Sequence, residues 1–263
     1  MRLFCKRDIL TGVMGILLIQ ILFALLVNRF LFHPVVGRYT LATPGVVDIS
    51  TNETTIAALV LGNLPNDRVL LYCHGNAEDI MDVRERFPLL REKGFSIVSV
   101  DYPGYGCSKG SPSESGCYRN VNRLYDWLVH EKAVSPTNII VMGFSIGTGP
   151  AIELATKREV RALVLAAPFL SAPRCVTQIR LFLCDPFQNE KKARSLNLPC
   201  VVVHGTDDEI VPFSQGKRIF ELLPSSDKRF IAVSGSGHND LLDVFNDDEY
   251  AQVLLSLSIC PAL

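Results

Sequence analysis

No cluster of lysine and arginine appears anywhere in this sequence. Its 26 basic residues face 27 acidic ones, the formal net charge is -1, and both signs are scattered along the chain. A nucleic-acid binder would carry a basic patch or stripe, so that class is excluded as a working reading. No CxxC pair and no Cys/His set at metal-ligand spacing occurs, which removes the case for a structural zinc. Internal repeats and low-complexity stretches are missing as well. What remains is an ordinary globular balance, 48% hydrophobic and 20% charged, over 263 residues. That length holds one large domain, or one domain and an anchor.

The eight cysteines are Cys5, Cys73, Cys107, Cys117, Cys175, Cys184, Cys200 and Cys260. A chain of this size needs no disulfide staples to hold a core. Cys73 and Cys200 sit in apolar runs, where a thiol packs as a small hydrophobe. Cys107 with Cys117, and Cys175 with Cys184, are close enough in sequence to pair if geometry allows.

One long stretch lacks charge altogether. From Ile9 to Val27 only Thr11 and Gln20 are polar. About nineteen helical residues span roughly the 30 Å hydrocarbon core of a bilayer. A cleaved signal peptide would have a shorter apolar run and a small-x-small cleavage site, and a core helix would keep a polar face. The run is therefore expected to be an uncleaved transmembrane anchor over 9–27, after a basic flank over 1–8 and before a juxtamembrane segment over 28–53. Arg2, Lys6 and Arg7 before the run favour a cytoplasmic N-terminus and a translocated domain in an endomembrane compartment. The sequon Asn52-Glu53-Thr54 suits that side. Cys5 would then be open to acylation on the cytoplasmic side.

Beyond the anchor, short β-branched runs alternate with helical patterns. Thr54–Leu61, Val69–Cys73, Ile97–Asp101, Ile139–Phe144, Ala162–Ala166, Val201–His204 and Phe230–Val233 read as strands, the middle ones continuously apolar. Helical patterns fall near 78–93, 114–132, 146–158 and 214–223. The expected fold is α/β over 54–263, a mostly parallel sheet with helices on both faces. Residues 168–199 contain no strand but supply Leu170, Ile179, Leu181, Phe182, Leu183 and Phe187, which suggests a small helical cap.

Gly143-Phe144-Ser145-Ile146-Gly147 fits G-x-S-x-G between a predicted strand and a predicted helix, the setting of a nucleophile elbow. Pro150 is awkward so soon inside that helix. A serine hydroxyl needs a base. Among the five histidines, His33, His74, His130, His204 and His238, the last lies in a flexible turn after the final predicted strand. It therefore completes the order serine, acid, histidine. His130 reads as solvated, His33 as interfacial, and His74 and His204 as loop-shaping. Asp207, Asp208 and Glu209 follow Val201–His204 and supply the acid that would orient the imidazole, with Asp240 and Asp243 as alternatives. Cys73-His74-Gly75-Asn76-Ala77 follows a strand where a backbone oxyanion donor is needed, at Asn76, with Ile146 as the second donor. Histidines and aspartates of the metal-ligating kind are present without a metal-site spacing, so neither a metal nor another cofactor is expected.

His74-Gly75-Asn76-Ala77, Asp101-Tyr102-Pro103-Gly104-Tyr105-Gly106-x-Ser108, Gly143-x-Ser145-Ile146-Gly147-Thr148 and Gly237-His238-Asn239-Asp240 occur in this order. Together with His204-Gly205-x-x-Asp208-x-x-Val211 they resemble the α/β-hydrolase-domain serine hydrolases over about residues 55–258. The resemblance implies that Asp208 is the triad acid. Val134-Ser135-Pro136-x-Asn138-Ile139-Ile140, Ser145-Ile146-Gly147-Thr148 and Asp185-x-Phe187 resemble the branch that removes palmitate from protein cysteines. That branch attaches through a cysteine-rich N-terminus, whereas this chain has a single early cysteine and an apolar run, like other membrane-anchored relatives. The expectation is a membrane-anchored serine hydrolase of an acyl ester or thioester, with the lipid bilayer as its second partner. Peptide or soluble-ester hydrolysis, or a catalytically idle interaction module, are the alternatives.

Overall fold

Successive residues of a strand point to opposite faces, so a strand buried on both sides must be apolar at nearly every position. The interior strands obey this. In the computed structural model, which describes residues 6–65, 67–177, 185–245 and 247–258, they run Phe95–Val100 (FSIVSV), Ile139–Phe144 (IIVMGF), Ala162–Ala166 (ALVLA) and Cys200–Gly205 (CVVVHG), all buried throughout. The strands are β1 (Val46–Asp48), β2 (Ala57–Leu61), β3 (Arg68–Cys73), β4 (Phe95–Val100), β5 (Ile139–Phe144), β6 (Ala162–Ala166), β7 (Cys200–Gly205) and β8 (Lys228–Val233). They form one eight-stranded sheet in the order β1-β2-β4-β3-β5-β6-β7-β8. The pairs β1–β2 and β2–β4 are antiparallel; every later pair is parallel.

The helices are α1 (Lys6–Leu31), α2 (Ile80–Arg86), α3 (Pro88–Glu92), α4 (Glu114–Asp126), α5 (Thr148–Lys157), α6 (Arg174–Thr177), α7 (Asn189–Ala193), α8 (Phe213–Leu222), α9 (Leu241–Val244) and α10 (Asp247–Ser258). The two sheet faces carry two cores. Val69, Leu71, Val141 and Leu165 pack with Leu124 of α4, Ile152 of α5, Ala193 of α7 and Ile219 of α8. Their neighbours in register, Leu70, Tyr72, Met142 and Val164, pack with Val83 of α2, Leu90 of α3, Leu241 of α9 and Leu254 of α10. Each fully buried Leu or Ile in these layers contributes about 1.5–3 kcal/mol.

Three features extend or correct the sequence reading. β1 lies within the segment expected to be juxtamembrane, and the sheet begins there. Residues 168–199 are not all cap: α7 packs between α5 and α8 as the crossover that parallel strands β6 and β7 require. Phe187, expected in the cap, is a core residue with no exposed surface, its ring edge-on to Phe32, Tyr118 and Phe169. Ile179, Leu181, Phe182 and Leu183 lie outside the described residues.

Helix α1 continues past both ends of the apolar run, for 26 residues. Met14, Ile16, Leu18 and Ile19 are each more than half exposed, so the described residues leave them largely uncovered. Among the described residues no helix is long and apolar enough to cross a membrane. The side chains of residues 9, 10, 12, 24 and 25, which belong to the same apolar run, lie outside that description. Cys73, Cys107, Cys117, Cys175 and Cys200 are free thiols, so Cys107 and Cys117 do not pair. Cys5, Cys184 and Cys260 fall outside the described residues.

Candidate active site

The turn from β5 into α5 carries Ser145 with φ 52, the left-handed region that a side chain enters only at a cost. The turn closes because its flanking residues lack a Cβ. One built on Gly143 would come within 2.5 Å of the Gly147 carbonyl oxygen, and one on Gly147 would overlap the carbonyl oxygen of Cys73. Thr148 Oγ1 donates to the Ser145 carbonyl at 2.7 Å and ties the turn to the helix start. Pro150 is tolerated because it falls in the first turn of α5, where helix donors lack intrahelical acceptors anyway.

Ser145, His238 and Asp208 meet, although they come from three separate loops. His238 Nε2 lies 2.9 Å from Ser145 Oγ, and His238 Nδ1 lies 2.8 Å from Asp208 Oδ2. An ionised carboxylate only accepts, so Nδ1 carries the proton and Nε2 faces the serine hydroxyl as acceptor. The imidazole stacks on Phe144, ring centroids 5.3 Å apart. Of the neighbouring acids, Asp207 and Glu209 are exposed; Asp207 accepts from Thr206 Oγ1, and Glu209 takes the His238 backbone N–H at 3.4 Å. Asp240 accepts from Ser236 Oγ, and Asp243 is exposed. Asp208 alone reaches the imidazole.

Burial opposes the charge on Asp208, yet hydrogen bonds from His204 and His238 outweigh it and hold the carboxyl well below the ordinary carboxylate range. Its other oxygen, Oδ1, accepts from the Ile210 and Val211 backbone N–H groups at 3.0 and 2.7 Å. His204 was expected to shape its loop, and its Nε2 does contact the Val211 carbonyl at 2.9 Å. The same nitrogen also lies 3.2 Å from Asp208 Oδ2, a contact that the residue order does not disclose. Two acceptors on one nitrogen require Nε2 to carry the proton. The histidine-to-aspartate spacing of four residues was the available signal. Gly216 makes room for the ring, since a Cβ there would overlap His204 Nδ1.

His74, Asn76 and Ala77 form the loop after β3. His74 is fully buried, stacks on Tyr102 with centroids 4.1 Å apart, and contacts the Gly75 carbonyl through Nδ1 at 2.9 Å. Burial lowers its pKa to about 4. Asp101 lies under it, with Oδ1 3.5 Å from His74 Nε2, and accepts from Tyr39 Oη and from the Ile80 backbone N–H. Burial raises the Asp101 carboxyl to about 7. Asn76, Ile146, Ser145 and His238 all line one cavity of about 440 Å³. Phe30, Leu31, Phe144, Phe169, Ile210 and Val211 supply much of its remaining, mainly apolar, wall. That volume and lining suit a small-molecule or acyl group. His130 is largely exposed, whereas His33 sits at the cavity beside Asn76.

This architecture is the α/β-hydrolase fold. Residues 68–183 match the family described as alpha/beta hydrolase fold. The chain is similar to the Pyrococcus furiosus esterase Pf2001, with a TM-score of 0.67 at 16% identity, covering 86% of this chain and 97% of that one. It is also similar to the thioesterase domain from the curacin biosynthetic pathway, with a TM-score of 0.64 at 14% identity, covering 80% and 98%. At such identities the likeness is one of fold. Relatives nearer in sequence are the alpha/beta hydrolase domain-containing proteins aho-3 of Caenorhabditis elegans and 17C of Homo sapiens. The first is 37% identical over 71% of this chain and the second 37% over 78%. The chain is a relative of these α/β-hydrolase domain-containing proteins, and it spans 57% and 61% of their respective lengths.

Proposed function

We propose that this chain is a membrane-anchored serine hydrolase that cleaves an ester or thioester of an acyl lipid or acylated protein. The observation that carries the reading is the unbroken line from Ser145 Oγ through His238 to Asp208, opening on an apolar cavity. Ser145 Oγ attacks the acyl carbonyl carbon while His238 Nε2 takes the hydroxyl proton, and the carbonyl π electrons move onto oxygen. Backbone N–H groups of Asn76 and Ile146 hold that oxyanion, a contribution of about 3 kcal/mol for each such donor. Collapse of the adduct breaks the bond to the alcohol or thiol, which leaves with the proton from His238 and leaves Ser145 acylated. Water, deprotonated by His238, then attacks the acyl-serine; the carboxylic acid departs and Ser145 recovers its proton. Asp208 keeps the imidazole in the required tautomer and balances its charge.

The thioester option draws support from the motifs shared with depalmitoylases. The anchor reading is supported by α1, whose 26 residues extend for about 39 Å at 1.5 Å each. With residues 9–27 in the bilayer and the N-terminus cytoplasmic, the catalytic body lies on the lumenal side of an endomembrane. Purified full-length protein is to be treated with a fluorophosphonate probe and then offered acyl-thioester, lysophospholipid and short soluble ester panels. Labelling lost in Ser145→Ala, with turnover favouring long acyl chains, is the expected result. Preference for short soluble esters would contradict the lipid assignment.

A further inference from the structure

Helix α1 does not end clear of the catalytic body; its last turn is part of the cavity. The Leu31 carbonyl accepts from Asn76 Nδ2 at 2.7 Å, and the His33 ring nitrogen Nδ1 lies 2.9 Å from the same amide nitrogen. Asn76 Oδ1 in turn accepts from the His33 backbone N–H at 3.0 Å and from Tyr105 Oη at 2.7 Å. An amide side chain has two donors and an acceptor with two lone pairs, and all four positions on Asn76 are occupied here. Its side chain is therefore committed to the end of α1 rather than to a substrate. The next residue, Ala77, has φ 56, a conformation that persists only when the surroundings impose it.

The strap that follows is fastened along its length. Phe32 is buried and edge-on to Phe187, with centroids 6.1 Å apart. The Val35 carbonyl accepts from the Gly106 N–H at 2.7 Å, Arg38 bonds Asp82 at 2.6 Å, and Tyr39 Oη donates to buried Asp101. The last turn of α1 thus has a fixed place, and it sets Leu31 and Phe30 in the cavity wall with Ser145 and Ile146. Phe30 is 73% exposed, an apolar ring left open beyond exposed Asn28 and Arg29, on a helix that also exposes Met14, Ile16, Leu17, Leu18, Ile21 and Leu22.

Building on the hydrolase reading above, we infer that the last turn of α1 is the acyl-binding wall of the active site. An acyl chain leaves the bilayer along α1 and is gripped by Phe30 and Leu31 while its carbonyl lies at Ser145. Through Asn76 the same turn also holds the loop that supplies an oxyanion donor. Phe30 and Leu31 are specificity-determining residues, and the Asn76 side chain is a positioning group.

The test uses the full chain in detergent micelles with acyl-thioesters of four, eight and sixteen carbons, beside fluorophosphonate labelling. Wild type should favour the sixteen-carbon substrate. Phe30→Ala and Leu31→Ala should each lower the ratio of kcat/KM for sixteen over four carbons by about tenfold, the effect of losing one apolar wall residue. Phe30→Leu should restore most of it, and Ile16→Ala, higher on α1, should leave it unchanged. Asn76→Ala should lower kcat by a similar factor at every length and keep the wild-type ratio. An unchanged ratio in both Phe30→Ala and Leu31→Ala, with Ser145 still labelled in each, would overturn the acyl-wall assignment and leave the hydrolase reading standing. Absence of wild-type labelling would instead overturn the hydrolase reading and this inference with it.

Discussion

Asp208 shows how much of the site rests on one carboxylate. Both oxygens are saturated, one by two backbone N–H groups and the other by two imidazoles. Asp208→Asn keeps the shape but offers an amide to His238 Nδ1, which favours the wrong tautomer; kcat should fall by about 10⁴-fold. His204→Ala removes one charge-assisted hydrogen bond and should lower kcat by roughly 10- to 100-fold, with His204→Gln recovering part of the loss. Steady-state kinetics on the three variants checks the ranking, and equal losses for Asp208→Asn and His204→Ala would contradict it. Ser145 and His238 were singled out by motif order, whereas Asp208 was separated from Asp207 and Glu209 only through the family resemblance. His204 was visible only as a strand-end histidine, because residue order does not show which way a ring points. Asp101 supplies a pH test. The folded state keeps its proton up to about 7, whereas the unfolded chain releases it near 4. The stability this contributes is full below about pH 4 and is lost as pH rises through 7. His74, lowered to about 4, works in the opposite direction, but it does so in wild type and variant alike. Asp101→Asn should therefore gain stability relative to wild type between pH 4.5 and 8, whatever constant offset follows from the lost acceptor. Urea unfolding at those two pH values reads the difference, and a flat difference would refute it.

At the scale of elements, the turn between β5 and α5 leaves no room for a side chain at Gly143 or Gly147. Gly147 lies against the end of β3, and any Cβ there must push the strand carrying the Asn76 loop. Gly147→Ala should cost about 2–3 kcal/mol of stability or more and depress kcat, because overpacking against backbone has no rotamer to absorb it. Thermal unfolding together with kinetics checks both effects; a variant as stable and active as wild type would refute the close approach. The central strands were readable because burial on both faces demands unbroken apolar runs. The three-residue β1 was not, since a short edge strand such as Val46-Val47-Asp48 has neither length nor alternation. The apolar material of residues 168–199 was visible, but its division between crossover helix and cavity wall depends on which strands lie side by side. Helix α7, only five residues long, carries too little periodicity to announce itself.

For the molecule as a whole, the proposed anchor and active site are one continuous structure rather than a domain on a tether. Leu17 and Leu18 lie near the middle of the apolar run and are exposed. The pair Leu17→Arg/Leu18→Arg places two charges there, each costing about 2.5–3.5 kcal/mol in a bilayer. Carbonate extraction of membranes should then find wild type in the pellet and the variant in the supernatant; retention of both in the pellet would contradict a spanning α1. Exposed Asn52 reports the side of the membrane: glycosidase should shift wild-type mobility on a gel but not that of Asn52→Gln. The hydropathy of α1 was plain from the sequence. Its engagement with Asn76 was not, because the contact spans 45 positions in the chain.

The central claim is that Ser145 is a nucleophile activated by His238. It is tested most directly by fluorophosphonate labelling of full-length wild type beside Ser145→Ala and His238→Ala, with mass spectrometry to locate the adduct. The account predicts one phosphonylated residue, Ser145, in wild type, none in Ser145→Ala, and labelling slowed by orders of magnitude in His238→Ala. An adduct on another residue, or equal labelling of folded Ser145→Ala, would contradict it.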